Sequence, residues 1–178
     1  RLDFGIGAGW NEYEHASMGI PLYQPGERIR RLGEACEIIR RLFTEPTVDF
    51  DGRYYQLKDA RSEPKPVQKP YPPFVIGGGG EQLTLRVVAQ YADIWNYTGG
   101  SVEEFPHKVE VLRGHCDAIG RDSGEIVLSY QYRLGENFGD AVEPLKRFID
   151  AGATHLVLYL PSPHVEGQAT RAAEDFTS

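Results

Sequence analysis

Four consecutive glycines, Gly77, Gly78, Gly79 and Gly80, follow the apolar run Phe74, Val75 and Ile76. Beyond them Leu83, Val87, Val88 and Tyr91 fall on one helical face, and a second short apolar run, Ile94 and Trp95, ends in Asn96. Strand, glycine turn, helix and strand make a βαβ unit. Its glycine turn faces the carboxyl ends of the strands, where α/β folds bind ligands. Uncovered backbone N–H groups beside a helix N-terminus suit an anion such as a phosphate. The same glycines also suit a tight loop that needs positive φ. On the residues alone, both readings stand.

A second glycine-punctuated stretch lies at the start. Leu2, Phe4 and Ile6 alternate with small or polar residues, as a buried strand would, and Gly5, Gly7 and Gly9 strip one face of side chains. Something must approach that face closely. Trp10, Asn11, Glu12, Tyr13, Glu14 and His15 then form a polar-aromatic cluster just past the strand's carboxyl end, a functional address in parallel α/β proteins. A dinucleotide fingerprint fails in detail. Counting from Gly5, its third glycine position holds Trp10, and counting from Gly77 it holds Gln82. An NAD-binding Rossmann-type dehydrogenase remains an alternative. The five histidines are scattered without metal-ligand spacing, and neither a G-x-S-x-G elbow nor a P-loop lysine occurs.

The totals narrow the classes further. With 178 residues, 40% hydrophobic and 25% charged, the chain has the composition of one ordinary globular domain. A net charge of −7 argues against a nucleic-acid or anionic-membrane partner, since both call for a basic stripe. No apolar run approaches the ~18 residues that span a bilayer. Cys36 and Cys116 each fall on the apolar face of a predicted helix and read as buried thiols, compatible with a cytoplasmic home. The chain enters directly into a strand, with no methionine and no signal pattern, which predicts a fragment of a longer chain.

The elements that must position these residues follow from periodicity. A helix over residues 25–44 buries Ile29, Leu32, Cys36, Ile39 and Phe43, with Glu27–Arg31 and Glu37–Arg41 as surface pairs on a solvated face. Residues 47–57 read as a hairpin whose Asp51-Gly52 pair makes a type I′ turn and sets Val48 opposite Tyr55. The proline-dense segment up to Pro73 reads as extended chain, so residues 46–73 form an insertion. Ser101 and Glu104 resemble a capping box before a helix with Phe105, Val109, Leu112, Cys116 and Ile119 inward, its start delayed by Pro106. A strand over residues 125–134 and a helix with Val142, Leu145, Phe148 and Ile149 inward come next. The apolar run His155, Leu156, Val157, Leu158, Tyr159 and Leu160 reads as a strand buried on both faces. Five strands, near residues 2, 74, 94, 126 and 155, alternate with helices, which predicts an α/β fold with a parallel sheet.

These segments carry a resemblance. GIGAGWNEYEHASMGIPLYQPGERIRRLGEACEIIRRLFTE, then FDGRYYQL, PKPVQKPYPPFVIGGGGEQLTLRVVAQYADIWN and GRD, is similar in order and content to the luciferase-like monooxygenase family, nearest its deazaflavin (F420)-dependent oxidoreductases. The resemblance implies a partial TIM (β/α)8 barrel, parallel strands four to eight, with residues 1–178 one incomplete barrel domain. It implies coenzyme F420 or FMN as cofactor, a small-molecule substrate, and hydride transfer or oxygen activation. Gly9 and Trp10 take the end of the fourth strand, facing the cofactor ring or substrate. Gly77, Gly78, Gly79 and Gly80 match the loop that holds the phosphate, and Asn96 the mouth of the pocket. Glu12, Glu14 and Arg133 are substrate-side candidates. The family's first three strands, which supply most of the catalytic constellation, have no counterpart here, so no catalytic residue is assigned. The rival expectation is a catalytically incomplete binding half that pairs through its first strand with a missing amino-terminal half or, as a homodimer, with a second copy.

Overall fold

The computed structural model describes residues 2–177. Its first strand, β1 (Phe4–Ile6), is shorter than the predicted run because the backbone leaves the sheet through Gly7 and turns at Gly9, where φ is 77°. Leu2 is 55% exposed, and its backbone pairs with the Gln68 side chain rather than with a strand, at 2.6 and 3.0 Å. A short helix, α1 (Glu12–Ser17), carries most of the polar-aromatic cluster that follows the strand. Asn11 caps it, its Oδ1 accepting from the Glu14 N–H at 3.2 Å.

The long helix α2 (Pro25–Thr44) has the predicted bounds, opened by a proline at its first turn. Leu32, Cys36 and Ile38 are buried, while Ile29, Ile39 and Phe43 pack against the core edge. Arg31 pairs with Glu27 at 2.8 Å as its spacing requires, but Arg41 turns to Glu45 at 2.9 Å, leaving Glu37 to accept from the Tyr91 hydroxyl at 3.4 Å. The helix surface is therefore not only a solvated face. Glu34 departs furthest: its carboxylate accepts the N–H groups of Arg53, Tyr54 and Tyr55 at 2.9, 2.9 and 3.1 Å.

That carboxylate reshapes the hairpin made by β2 (Val48–Asp51) and β3 (Gln56–Ala60). Asp51 pairs with Gln56 and Val48 with Ala60, not Tyr55, so the connection is a four-residue loop rather than a two-residue turn. Three N–H groups gathered on one anion outcompete the tighter turn. A register shift follows, with Asp59 at φ 48° and its N–H held by Asp49 Oδ1 at 2.6 Å.

The rest of the chain alternates helices and strands. β4 (Phe74–Gly77), α3 (Thr84–Tyr91) and β5 (Ile94–Thr98) form the predicted βαβ unit. In α4 (Phe105–Ala118), Pro106 falls in the first turn, and Ser101 and Glu104 exchange two 3.4 Å contacts just ahead of it. Ile119, expected inward, is the exposed cap residue. β6 (Val127–Arg133) leads through a 3₁₀ turn, Phe138–Ala141, into α5 (Val142–Asp150). Phe138, Ala141, Leu145 and Phe148 make the inward stripe, so Val142 and Ile149 face outward instead. β7 (His155–Tyr159) and α6 (Gln168–Thr177) complete the chain.

Among the described residues the strands form one parallel sheet in the order β1-β4-β5-β6-β7, beside the two-stranded β2-β3 sheet. The sequential order lacks the reversal that a dinucleotide-binding sheet places at its ligand crevice. β1 and β7 are unpaired edges, so the sheet is an open part of a barrel. Helices cover its convex face, where Phe74, Ile76, Trp95, Tyr97, Leu85, Val88, Phe105 and Leu112 are buried together. The concave face has no such cover. For that reason β7 is not buried on both faces, and its His155 and Tyr159 are exposed.

Replacing Glu34 by Ala strands three loop N–H groups and is expected to destabilise the fold by about 2 kcal/mol in urea unfolding, with faster amide exchange at residues 53–55. A second expectation concerns Cys36, whose thiol is pushed by burial up to about 12. The folded state then holds this proton more tightly than the unfolded chain, where a free thiol titrates near ~8.5. Its contribution to stability is full below that pH and is lost as pH rises through the folded value. Unfolding midpoints at pH 8 and pH 10 should therefore converge in Cys36→Ala relative to the parent chain.

Candidate functional site

Alternation along each strand sorts the side chains into two sets. Phe4, Ile6, Phe74, Ile76, Trp95, Tyr97, Leu128, Tyr130 and Tyr132 join the core under the helices. Their neighbours point into the concavity: Gly5 on β1 and Gly7 just past it, Val75 and Gly77 on β4, Ile94, Asn96 and Thr98 on β5, Val127, Ser129, Gln131 and Arg133 on β6, His155, Val157 and Tyr159 on β7. A Cβ built at Gly5 or Gly7 meets nothing within 4 Å, and one at Gly77 touches only the Asn96 carbonyl at 3.6 Å and Thr98 Cγ2 at 3.7 Å. Toward the carboxyl ends of β1 and β4 the face is thus a glycine floor, bordered below by the Val75 side chain beside Gly5.

Above this floor, at the carboxyl ends of the strands, opens a cavity of about 600 Å³. Gly7, Gly9, Trp10, Gly77 and Gly78 line one side, and Thr98, Gln131 and Tyr159 the other, with Arg28 and Thr84 contributed by α2 and α3. A smaller cavity of about 270 Å³ lies elsewhere, between α4 and the starts of β6 and β7.

The glycine loop is held from several directions. Gly78 takes φ 114°, its N–H donates to the Asn96 carbonyl at 3.2 Å, and its carbonyl accepts from the buried Trp95 indole at 2.7 Å. Gly79 lies against Tyr97, where a Cβ would come within 2.9 Å of the ring, and Gly80 lies against Thr84. Among the described residues, the N–H groups of Gly79 and Gly80 meet no acceptor. Glu81 then pins the loop to α4: its carboxylate receives Lys108 Nζ at 2.7 Å and faces His107 Nε2 at 3.1 Å, while its carbonyl faces His115 Nε2 at 2.7 Å. The Lys108 hydrogen bond holds the Glu81 carboxyl below its usual range.

The predicted site residues divide accordingly. Gly9, Trp10, Gly77 and Gly78 line the cavity; Gly79 and Gly80 shape the loop without lining it. Trp10 is 79% exposed at the rim. Asn96 is half-buried and committed, donating to Gln131 Oε1 at 2.6 Å and accepting from Ser129 Oγ at 3.4 Å. Glu12 and Glu14 are exposed on α1, outside the cavity wall, and Arg133 stacks over the Tyr159 ring at 5.4 Å. Sequence reasoning missed Arg28, Thr98, Gln131 and Tyr159. The signal for the last three was available: each is a polar residue at an inward position of a parallel strand near its carboxyl end. Arg28 gave no such signal, since its helix starts at the cavity only in three dimensions.

The family described as luciferase-like monooxygenase matches residues 1–177. An uncharacterized protein of Mycobacterium tuberculosis is 28% identical over 169 residues, covering 95% of this chain and 56% of that protein. The FMNH(2)-dependent dimethylsulfone monooxygenase of Pseudomonas putida is 31% identical over 121 residues, 67% of this chain and 33% of that protein. In fold, the chain is similar to an F420-dependent secondary alcohol dehydrogenase in complex with an F420-acetone adduct, with a TM-score of 0.82 at 16% identity over 99% of this chain and 70% of that one. The chain spans 56% and 33% of the lengths of these two curated relatives.

The two kinds of glycine should separate in stability measurements. Gly79→Ala drives a methyl into the Tyr97 ring and should cost about 1–3 kcal/mol, whereas Gly7→Ala meets open space and should stay within about 0.5 kcal/mol of the parent chain.

Proposed function

The chain belongs to the luciferase-like monooxygenase family, and on that premise we propose that its cavity holds FMN or coenzyme F420 for an oxidoreductase or monooxygenase reaction on a small organic substrate. The glycine floor at the carboxyl ends of β1 and β4 carries this reading. A flat ring system needs an unobstructed wall, and Gly7 and Gly77 leave one where any other residue would project a side chain. The cavity of about 600 Å³ falls within the range of cofactor sites. The chemistry such a cofactor supplies is hydride transfer or oxygen activation; the protein's part is binding, orientation and exclusion of water.

Each wall then has a task. The free N–H groups of Gly79 and Gly80 beside the cavity, the start of α3 and the Arg28 guanidinium gather donors for the phosphate, and Gly77 and Gly78 leave it room. Gly9 and Trp10 form the rim beside the ring, and the exposed indole covers it from solvent. Asn96 acts through the polar wall, by fixing Gln131. Glu12, Glu14 and Arg133 remain substrate-side residues at the mouth. Among the described residues no helix is long and apolar enough to cross a membrane, and the two buried free thiols suit a reducing compartment such as the cytoplasm.

A second reading has the open sheet behind it. β1 and β7 present unpaired backbone edges on either side of an uncovered concavity. On this reading the chain is a cofactor-binding half that pairs through β1 with further amino-terminal chain or with a second copy, and its mass in sedimentation distinguishes the two.

Fluorescence titration with FMN and with F420 tests the main proposal. One of them should bind, Arg28→Ala should weaken it about tenfold or more, and Gly7→Val should abolish binding while leaving the thermal midpoint nearly unchanged. Failure of both cofactors to bind, or indifference to Gly7→Val, would sink it.

A further inference from the structure

Arg28 on α2, Arg30 on α2 and Arg86 on α3 form no ion pair among the described residues, in a chain whose net charge is −7. The acids around them are committed elsewhere. Glu27 holds Arg31 at 2.8 Å, Glu34 takes the hairpin N–H groups, Glu37 accepts from Tyr91, and Glu81 receives Lys108 at 2.7 Å. Between Thr84 and Tyr91, α3 carries no acidic residue at all. Three guanidinium groups, the side chain best suited to carboxylates and phosphates, are thus left without a counter-charge from the protein.

Only one of them serves the cavity described above. Arg28 lines it, and so does the next residue, Ile29. Ile29 also borders a second space, a groove of about 240 Å³ between α2 and α3 lined by Arg30, Gly33, Leu83, Arg86 and Gln90. A Cβ built at Gly26 would lie 3.4 Å from Arg30 Nη1 and 3.9 Å from Leu83 Cδ1, which puts the Arg30 guanidinium at the seam where the two helices begin. Leu83 lines the groove, and its neighbour Thr84 lines the cavity. The groove therefore opens beside the phosphate donors and leads outward from them. Arg30 and Arg86 are both exposed along it.

The two cofactors differ at just this point. FMN ends in its phosphate, which the glycine loop and Arg28 would already satisfy, and it would leave the groove empty. F420 continues through a phosphodiester into a lactyl-glutamate chain, whose carboxylates carry negative charge beyond the phosphate. We infer that the α2–α3 groove is a second anion subsite, that Arg30 and Arg86 hold the carboxylates of this chain there, and that the cofactor is F420 and not FMN. The inference rests on the cofactor-binding reading above, and one arm of its test does not.

Fluorescence titration compares F420 bearing several glutamates, its glutamate-free form and FMN. The parent chain should bind the glutamate-bearing form about fivefold more tightly than the glutamate-free form, and the gap should narrow as salt is raised. Replacing both arginines, Arg30→Gln with Arg86→Gln, should abolish the gap and leave the glutamate-free form unchanged. Lys146→Gln with Arg171→Gln removes the same charge from exposed positions on α5 and α6 and should leave the gap intact. Equal binding of the two F420 forms, tighter binding of FMN, or an equal loss in the α5–α6 variant overturns the inference. The independent arm titrates a fluorophore-labelled tetra-γ-glutamate. If no cofactor binds but this peptide binds the parent chain and not the Arg30–Arg86 variant, the anion subsite stands and the cofactor reading fails; if the peptide does not bind either, both fall.

Discussion

One hydrogen bond joins the core of this protein to its site. Trp95 is fully buried among the helices, stacked on Phe105 at 5.7 Å, and a buried indole N–H must find an acceptor. It finds the Gly78 carbonyl. The next residue on the same strand, Asn96, takes the Gly78 N–H through its own carbonyl. Gly78 is thereby gripped from both ends by two consecutive residues of β5, one using its side chain and the other its backbone. The peptide can satisfy both only at φ 114°, which admits glycine and little else. The loop takes its direction from the core and not from any ligand, so its two unpaired N–H groups are oriented in advance.

The sheet divides its labours by face. On the convex side large aromatic and aliphatic side chains interdigitate with α2, α3, α4 and α5, and this burial stabilises the fold. The concave side is freed from that duty. Toward the carboxyl ends of β1 and β4 it carries glycines and leaves space; toward β7 it carries amides, hydroxyls and an imidazole that satisfy one another, with Val75, Ile94, Val127 and Val157 as aliphatic neighbours on the same face. A flat ligand can lie over the first half and meet directed polarity at the second.

Much of this was legible in the sequence, and where it was not the reason is physical. The alternation of strands and helices, the bounds of α2 and the βαβ unit at the glycines follow from local periodicity, which the chain obeys, while the sequential strand order came only with the family resemblance. The hairpin is there, but its two-residue turn is not, because Asp51-Gly52 favours a tight turn locally while Glu34, far away in sequence, offers one carboxylate to three N–H groups. β7 reads as doubly buried because its apolar composition is that of a barrel strand, yet here it is an edge. Val142 and Ile149 were misread because the inward stripe of α5 begins one turn earlier, at Phe138 in a 3₁₀ segment. At the site, glycine left a plain mark, and Gln131 and Tyr159 a fainter one, as polar residues at inward positions near strand ends. Their significance lies in register across strands, and no single segment encodes register.

The hydrogen-bonded row of Asn96, Ser129, Gln131, His155 and Tyr159 across β5, β6 and β7 has a consequence for how such a chain can change over generations. Each of Ser129, Asn96 and Gln131 is tied at both of its ends, so a substitution that exchanges donor for acceptor at one position leaves a mismatch at the next. Single steps through that set pass through a chain with an unpaired polar group in a crowded wall. The set is therefore inherited as a block, and positions 96, 129, 131, 155 and 159 should vary together among descendants while their apolar neighbours on the same strands drift independently.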